Sequence, residues 1–241
     1  MGKRIPGGFR ATAAFVKPPI LAVTKREWSG AEHFPRDRGF IAVANHASYA
    51  DPFTFAHFLY DNGFPPHFLA KASLFDIPVA GKVLAKLDQV PVHRGSAKAK
   101  DAVDAAHELL ERGESIAIFP EGTLTKDPNM WPMKGHTGAA RMALENDVPV
   151  IPVAQWGAHE LLAPYAKKPD LFPRKRIVVQ AGPPVDLDEF RGQNPDLATL
   201  RGATDRIMTT LTTMLAGIRG EEPPSELFDP RASRARDHEG E

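Results

Sequence analysis

His46 and Asp51 stand five residues apart in the run Asn45-His46-Ala47-Ser48-Tyr49-Ala50-Asp51. An imidazole beside a carboxylate is a proton-handling unit. The carboxylate accepts from one ring nitrogen, fixes the tautomer and steadies the imidazolium, and the other nitrogen takes a proton from an alcohol. The spacing sets a condition. On one continuous helix, five residues turn through about 140°, so the pair meets only if residues 47–50 loop and Asp51 turns back as a helix begins. Asp51-Pro52 supplies such a start, because Asp caps a helix well and Pro suits its first position. On these residues alone an alternative stays open, with Asp51 a mere cap and His46 a loop histidine. Ser48 is a nucleophile candidate only by its place next to the base.

Three further segments carry candidate groups. Phe119-Pro120-Glu121-Gly122-Thr123 ends an apolar run at Pro, Glu and Gly. The glycine lets the backbone approach a ligand and aim amides at an oxyanion. Glu121 either orders the loop or holds a substrate hydroxyl, and a tight turn with a capping Glu is the simpler reading. Val90-Pro91-Val92-His93-Arg94-Gly95 presents Arg94, a fork that fits phosphate or else a solvated charge. Val148-Pro149-Val150-Ile151-Pro152-Val153 has no reactive group and reads as core strand.

These groups need elements to hold them. Residues 39–45 (GFIAVAN) are predicted to form a buried strand ending at His46. A helix over 52–60 follows, carrying Phe53, Phe55, Phe58 and Leu59. Strands are expected at 67–70, 90–92, 115–119, 148–155 and 177–181, and helices at 78–87, 98–111, 137–145 and 198–218. The 98–111 helix sets Ala102, Ala105, Ala106, Leu109 and Leu110 on one face, with Gly113 past its end. Strands alternating with helices predict an α/β fold, a mixed central sheet flanked by helices. Ligands bind such sheets at strand ends.

The 241 residues can bury a sizeable core without staples. The absence of cysteine excludes disulfides, thiolate metal sites and a cysteine nucleophile. A formal net charge of +0 argues against nucleic acid as partner. The nine histidines show no His-x-x-x-His pair, which argues against a metal-dependent hydrolase, and no metal is expected. Residues 1–28 read as an amphipathic, membrane-associating segment whose helix is broken by Pro18-Pro19. Its cations Lys3, Arg4, Arg10, Lys17, Lys25 and Arg26 precede the first acid, Glu27. A helix packed on its own domain is the alternative. Residues 29–219 are the expected catalytic domain, and 220–241 a charged tail expected to be disordered. No run nears the roughly 18 apolar residues of a spanning helix, and no signal peptide is visible. The expected location is cytoplasmic, peripheral on the inner face of the cell membrane.

Taken in order, Asn-His-x-Ser-x-x-Asp, Val-Pro-Val-x-Arg-Gly, Phe-Pro-Glu-Gly-Thr and Val-Pro-Val-Ile-Pro-Val resemble the four motif blocks of the lysophosphatidate (1-acylglycerol-3-phosphate) acyltransferase family. The resemblance spans residues 30–181. It implies an acyltransferase-type fold with a hydrophobic acyl tunnel, and an acyl-CoA or acyl-carrier-protein donor rather than a cofactor. It also implies a glycerol-phosphate lipid acceptor and a membrane surface as partner. By position, His46 becomes the general base and Asp51 its orienting carboxylate. Lys71, Arg94, Glu121, Gly122 and Thr123 become acceptor-site residues. There is one departure: many members carry Arg after Glu-Gly-Thr, where this chain has Leu124. Lys126 or Lys134 is the expected substitute. The expected reaction is acylation of 1-acylglycerol-3-phosphate to phosphatidic acid. Glycerol-3-phosphate itself or another lysophospholipid is the alternative acceptor, and a non-catalytic lipid-binding protein a remote one.

Overall fold

The five apolar residues Phe40–Ala44 form strand β2, and each of them is wholly buried. A strand apolar on both faces belongs in the middle of a covered sheet, and β2 lies there. The computed structural model describes residues 5–93, 99–192, 195–230 and 232. In chain order the other strands are β1 (Thr24–Ser29), β3 (His67–Lys71), β4 (Val90–Val92), β5 (Ser115–Ile118), β6 (Val150–Trp156) and β7 (Lys175–Ala181). The seven-stranded order is β1-β7-β6-β2-β5-β3-β4. β6 and β7 pair antiparallel, and the remaining neighbours run parallel. The C-terminal ends of β6, β2, β5, β3 and β4 therefore share one edge.

Alternation along the strands divides the core. Ile41, Val43, Ile116, Ile118 and Val150 face α4 (Ala99–Glu111), α5 (Gly138–Glu145) and α7 (Leu197–Arg219), meeting Leu109, Met142, Ile207 and Leu211. Phe40, Ala42, Ala44, Ile151 and Val153 face the other way, onto Phe55, Phe58 and Leu59 of α2 (Asp51–Asp61) and onto Phe34. Two short helices, α3 (Ala80–Lys86) and α6 (Ala158–Leu161), lie in the crossovers.

Three expectations need correction. The N-terminal helix α1 (Gly7–Val23) runs through Pro18 and Pro19 without a break. Those prolines deprive the carbonyls of Ala14 and Phe15 of N–H partners, but both residues are exposed, so water can take the bond. Next, the segment expected over 1–28 stops at Val23, because residues 24–28 belong to β1. Thr-Lys-Arg-Glu-Trp-Ser has no apolar alternation. It is an edge strand held by its backbone ladder to β7. Finally, the tail expected to be disordered from 220 folds back over residues 221–230. Helix α7 ends at Gly220, whose φ of 65° suits a glycine. Phe228 then bridges Met133, its carbonyl accepts from the Lys134 amide at 2.9 Å, and Leu227 packs on the core. Residues 231 and 233–241 lie outside the described chain. Among the described residues, no helix is long and apolar enough to cross a membrane.

Candidate active site

His46 and Asp51 meet where β2 ends. The chain turns through residues 47–50, and α2 starts at Asp51 with Pro52 behind it. His46 Nδ1 lies 3.1 Å from Asp51 Oδ2. The same oxygen accepts from the amides of Ala47 and Ser48, each at 2.6 Å. A carboxylate oxygen can only accept, so Nδ1 carries the ring proton and Nε2 keeps a lone pair. Asp51 is buried, and the His46 side chain keeps 13% of its surface open. The ring stacks on Phe119 with centroids 4.2 Å apart.

The ends of neighbouring strands fix the histidine backbone. The His46 amide donates to Glu121 Oε1 at 2.7 Å, and the Met133 amide donates to Oε2 at 3.1 Å. The His46 carbonyl accepts from the Thr125 amide at 2.7 Å. Behind them, the Asn45 side chain exchanges two hydrogen bonds with the Gln155 backbone, at 2.8 and 3.0 Å. Gln155 Nε2 donates to the Asn45 carbonyl at 3.1 Å, and Thr54 Oγ1 donates to Gln155 Oε1 at 2.7 Å. All three side chains are buried, so β2, β6 and α2 are locked in register at the histidine.

Glu121 does not stand where a substrate-binding residue would. It is 1% exposed and both oxygens serve backbone amides, so it orders the loop. Burial pushes its carboxyl up to about 8, against the pull of the Met133 and His46 amides. Gly122 has a φ of 70°, a region closed to most side chains. Its amide, expected to serve an oxyanion, instead donates to the Phe119 carbonyl at 2.9 Å. Ser48 is buried, with Oγ 2.6 Å from the Leu162 carbonyl, and Oγ also accepts from the Ala50 amide at 3.0 Å. It is a loop brace.

Lys71 ends β3 on the same edge as His46 and is exposed, as are Thr123 and Lys126. Lys134 is exposed but paired with Asp229 at 3.0 Å. Arg94 lies outside the described residues. Leu124 is 1% exposed, so that position points into the core. Phe55, Phe68 and Phe119 fill the space beside the ring, with Phe68 and Phe119 stacked at 6.1 Å and Phe55 edge-on to both. Grooves open elsewhere, one of about 600 Å³ along α1 at Arg10, Lys17 and Tyr60, another of about 300 Å³ at Arg36 and Gly113.

Sequence reasoning missed Gln155, whose signal was a lone amide in the apolar run of β6. It also missed Arg219. That guanidinium lies 3.9 Å from the Trp131 ring and 4.4 Å from the Trp156 ring, and it donates to the Asn129 carbonyl at 2.9 Å. It clamps loop 125–134 onto the end of α7. Trp131 and Met133 are buried and anchor that loop.

Comparison with known proteins adds the family. The Acyltransferase family model matches residues 25–156. A chloroplastic 1-acyl-sn-glycerol-3-phosphate acyltransferase of Brassica napus is 32% identical over 145 residues, 59% of this chain and 40% of its own length. The Bacillus subtilis enzyme of that name is 28% identical over 159 residues, 66% of this chain and 73% of its own. The chain thus spans well under half of the Brassica napus relative. The fold matches the crystal structure of the 1-acyl-sn-glycerophosphate acyltransferase of Thermotoga maritima. The TM-score is 0.64 at 23% identity, over 90% of this chain and 81% of that one.

Proposed function

The chain belongs to the acyltransferase family, and from that premise we propose that it moves a fatty acyl group from a thioester to the free hydroxyl of 1-acylglycerol-3-phosphate, giving phosphatidic acid. The observation that carries the reading is the 3.1 Å contact between His46 Nδ1 and the buried Asp51 carboxylate. The names of the Brassica napus and Bacillus subtilis relatives support the choice of acceptor.

In the proposed reaction, His46 Nε2 takes the hydroxyl proton as the acceptor oxygen attacks the thioester carbonyl. Asp51 holds the imidazolium that forms. Backbone amides near Gly122 hold the developing oxyanion, that of Gly122 itself being committed to its turn. The tetrahedral centre collapses, the thiolate leaves, and the imidazolium proton passes to it. Lys71, Arg94 and Lys126 hold the acceptor phosphate, so the hydroxyl arrives in a near-attack position. The donor is acyl-CoA or an acylated carrier protein, and the acyl chain lies against Phe68 and Phe119. The enzyme works as a peripheral protein on the inner face of the cell membrane, with the basic, exposed helix α1 toward the lipid.

A specific observation favours a second reading of the acceptor. Leu124 is buried where the family resemblance implies an Arg, so one phosphate contact is absent there and a lysophospholipid with a larger headgroup, or glycerol-3-phosphate, remains the alternative acceptor. One assay tests both. Purified protein is given three acceptors crossed with C16 and C18 donors, with positional analysis of the product. Phosphatidic acid from 1-acylglycerol-3-phosphate, lost in His46→Ala, is the expected result. Wild-type rates in His46→Ala would remove the base assignment. Faster turnover on another acceptor would replace the substrate.

A further inference from the structure

Two adjoining elements bury almost nothing. Residues 72–86 carry the crossover from β3 toward β4, and within them only Gly81 is buried. Leu74, Ile77, Val79 and Val83 are exposed, Val79 at 73%. Helix α1 buries only Phe9 and leaves Phe15 at 83%. The two touch: a Cβ on Gly8 would lie 3.4 Å from Leu87 Cδ2 and 3.7 Å from the Lys86 carbonyl. Single exposed apolar residues are ordinary, but a contiguous apolar run is not.

The backbone is built to present this run. A Cβ on Gly81 would sit 1.9 Å from the Phe75 carbonyl, so only glycine allows the tight turn over 75–81. That turn lifts Val79 outward with φ at 68°, a region where a β-branched residue is strained. Strain and exposure both count against the isolated fold at this residue. An external apolar layer offsets the exposure.

Charge identifies the layer. Lys71, Lys82 and Lys86 are exposed around the run against Asp76 and Asp88, and described α1 adds Arg10 and, paired with Asp61 of α2, Lys17, with no acid of its own. A basic rim around an apolar centre fits anionic headgroups over acyl chains. It fits a second copy of this chain poorly, because the same cations would face each other. β3 runs parallel to β5, which runs parallel to β2, so the run leaves the sheet on the edge where His46 lies.

We infer that residues 72–86 are a wedge that enters a phospholipid bilayer, with Val79 deepest and Lys82 and Lys86 at the headgroups, bringing the His46 edge down to its lipid acceptor. This rests on the lipid-acylation reading above and adds a membrane contact outside the N-terminal helix.

The test uses full-length protein and vesicles of phosphatidylcholine with phosphatidylglycerol. Val79→Gly combined with Val83→Ser is the variant, since glycine takes φ 68° with ψ −57° without a Cβ clash and the fold is kept. Wild type should bind the vesicles, and the variant should bind about tenfold less with an unreduced melting temperature. Equal binding, or no binding by wild type, overturns the wedge. So does a wild-type dimer in lipid-free buffer that the variant abolishes, which would make the face a protein interface. Acyl transfer to a soluble short-chain acceptor is measured alongside. If that transfer is absent while the binding difference persists, the wedge stands and the proposed reaction falls.

Discussion

Asp51 Oδ2 does three tasks with one atom: it faces the imidazole and closes two amides of the turn that brings it there. Asp51→Asn separates these tasks. Asparagine is isosteric and keeps an oxygen that can accept from the Ala47 and Ser48 amides, so the fold should persist, but the amide group no longer enforces the Nδ1–H tautomer. By analogy with catalytic triads, kcat should fall about 10³–10⁴-fold with the acceptor KM little changed. A kcat within tenfold of wild type would show that the carboxylate does not orient the base. Glu121 gives a pH signature. Its carboxyl titrates near 4.5 in the unfolded chain and about 8 in the fold. Between those values the folded protein keeps a proton that the unfolded chain has released. The contribution of this group to stability is therefore fullest below pH 4.5 and is lost as pH rises through about 8. In Glu121→Gln that slope should flatten, as read by thermal melts from pH 5 to 8. Parallel slopes in the two proteins would place the titration elsewhere.

At the level of elements, the site is a junction of strand ends. β2 delivers His46, β5 runs on to Phe119–Gly122, β3 ends at Lys71 and β6 carries Gln155. The Asn45–Gln155–Thr54 network sets how β2 lies against β6 and α2. Gln155→Leu removes the partner of the buried Asn45 carbonyl. An orphaned buried acceptor costs about 1–3 kcal/mol. Denaturant unfolding should show that loss, and a fall in kcat should accompany it as His46 loses its setting. A change below about 0.5 kcal/mol would mean that water replaces the amide. Most of these elements were legible. The apolar runs at 39–45 and 115–119 and the periodic helix at 98–111 each landed within about two residues, since burial on both faces or on one stripe leaves a pattern in composition. β1 was not legible, because an edge strand with exposed side chains leaves only backbone bonds.

Across the whole molecule, residues 219–229 reach back to the His46 end of the sheet. Arg219 lies between Trp131 and Trp156, Phe228 bridges Met133, and Asp229 pairs with Lys134. Met133 in turn holds the Glu121 carboxylate that also receives the His46 amide. A chain ending at Ser225 should therefore fold but lose about tenfold in kcat, because small displacements of a base are costly. Its acceptor KM should stay near that of wild type. Steady-state kinetics on the truncated protein decide it, and an unchanged kcat would make residues 226–230 a surface strap alone.

The residues themselves determined the candidate His46–Asp51 pair, most of the strands and helices apart from β1, and the family blocks. Each is written in local spacing: an acid and proline behind a loop, apolar runs of strand length, glycine after an acid. What the neighbours of those residues do was decided only by the fold. Glu121 was an acceptor-site candidate by position and is an interior brace by contact. Gly122 kept its conformation but spent its amide on a turn. Leu124 went into the core, and the charged tail acquired a partner loop nearly a hundred residues earlier. Local spacing encodes torsion angles and burial patterns, whereas the partner of a buried polar group comes from a distant part of the chain. That pairing exists only after the sheet has brought the strand ends together.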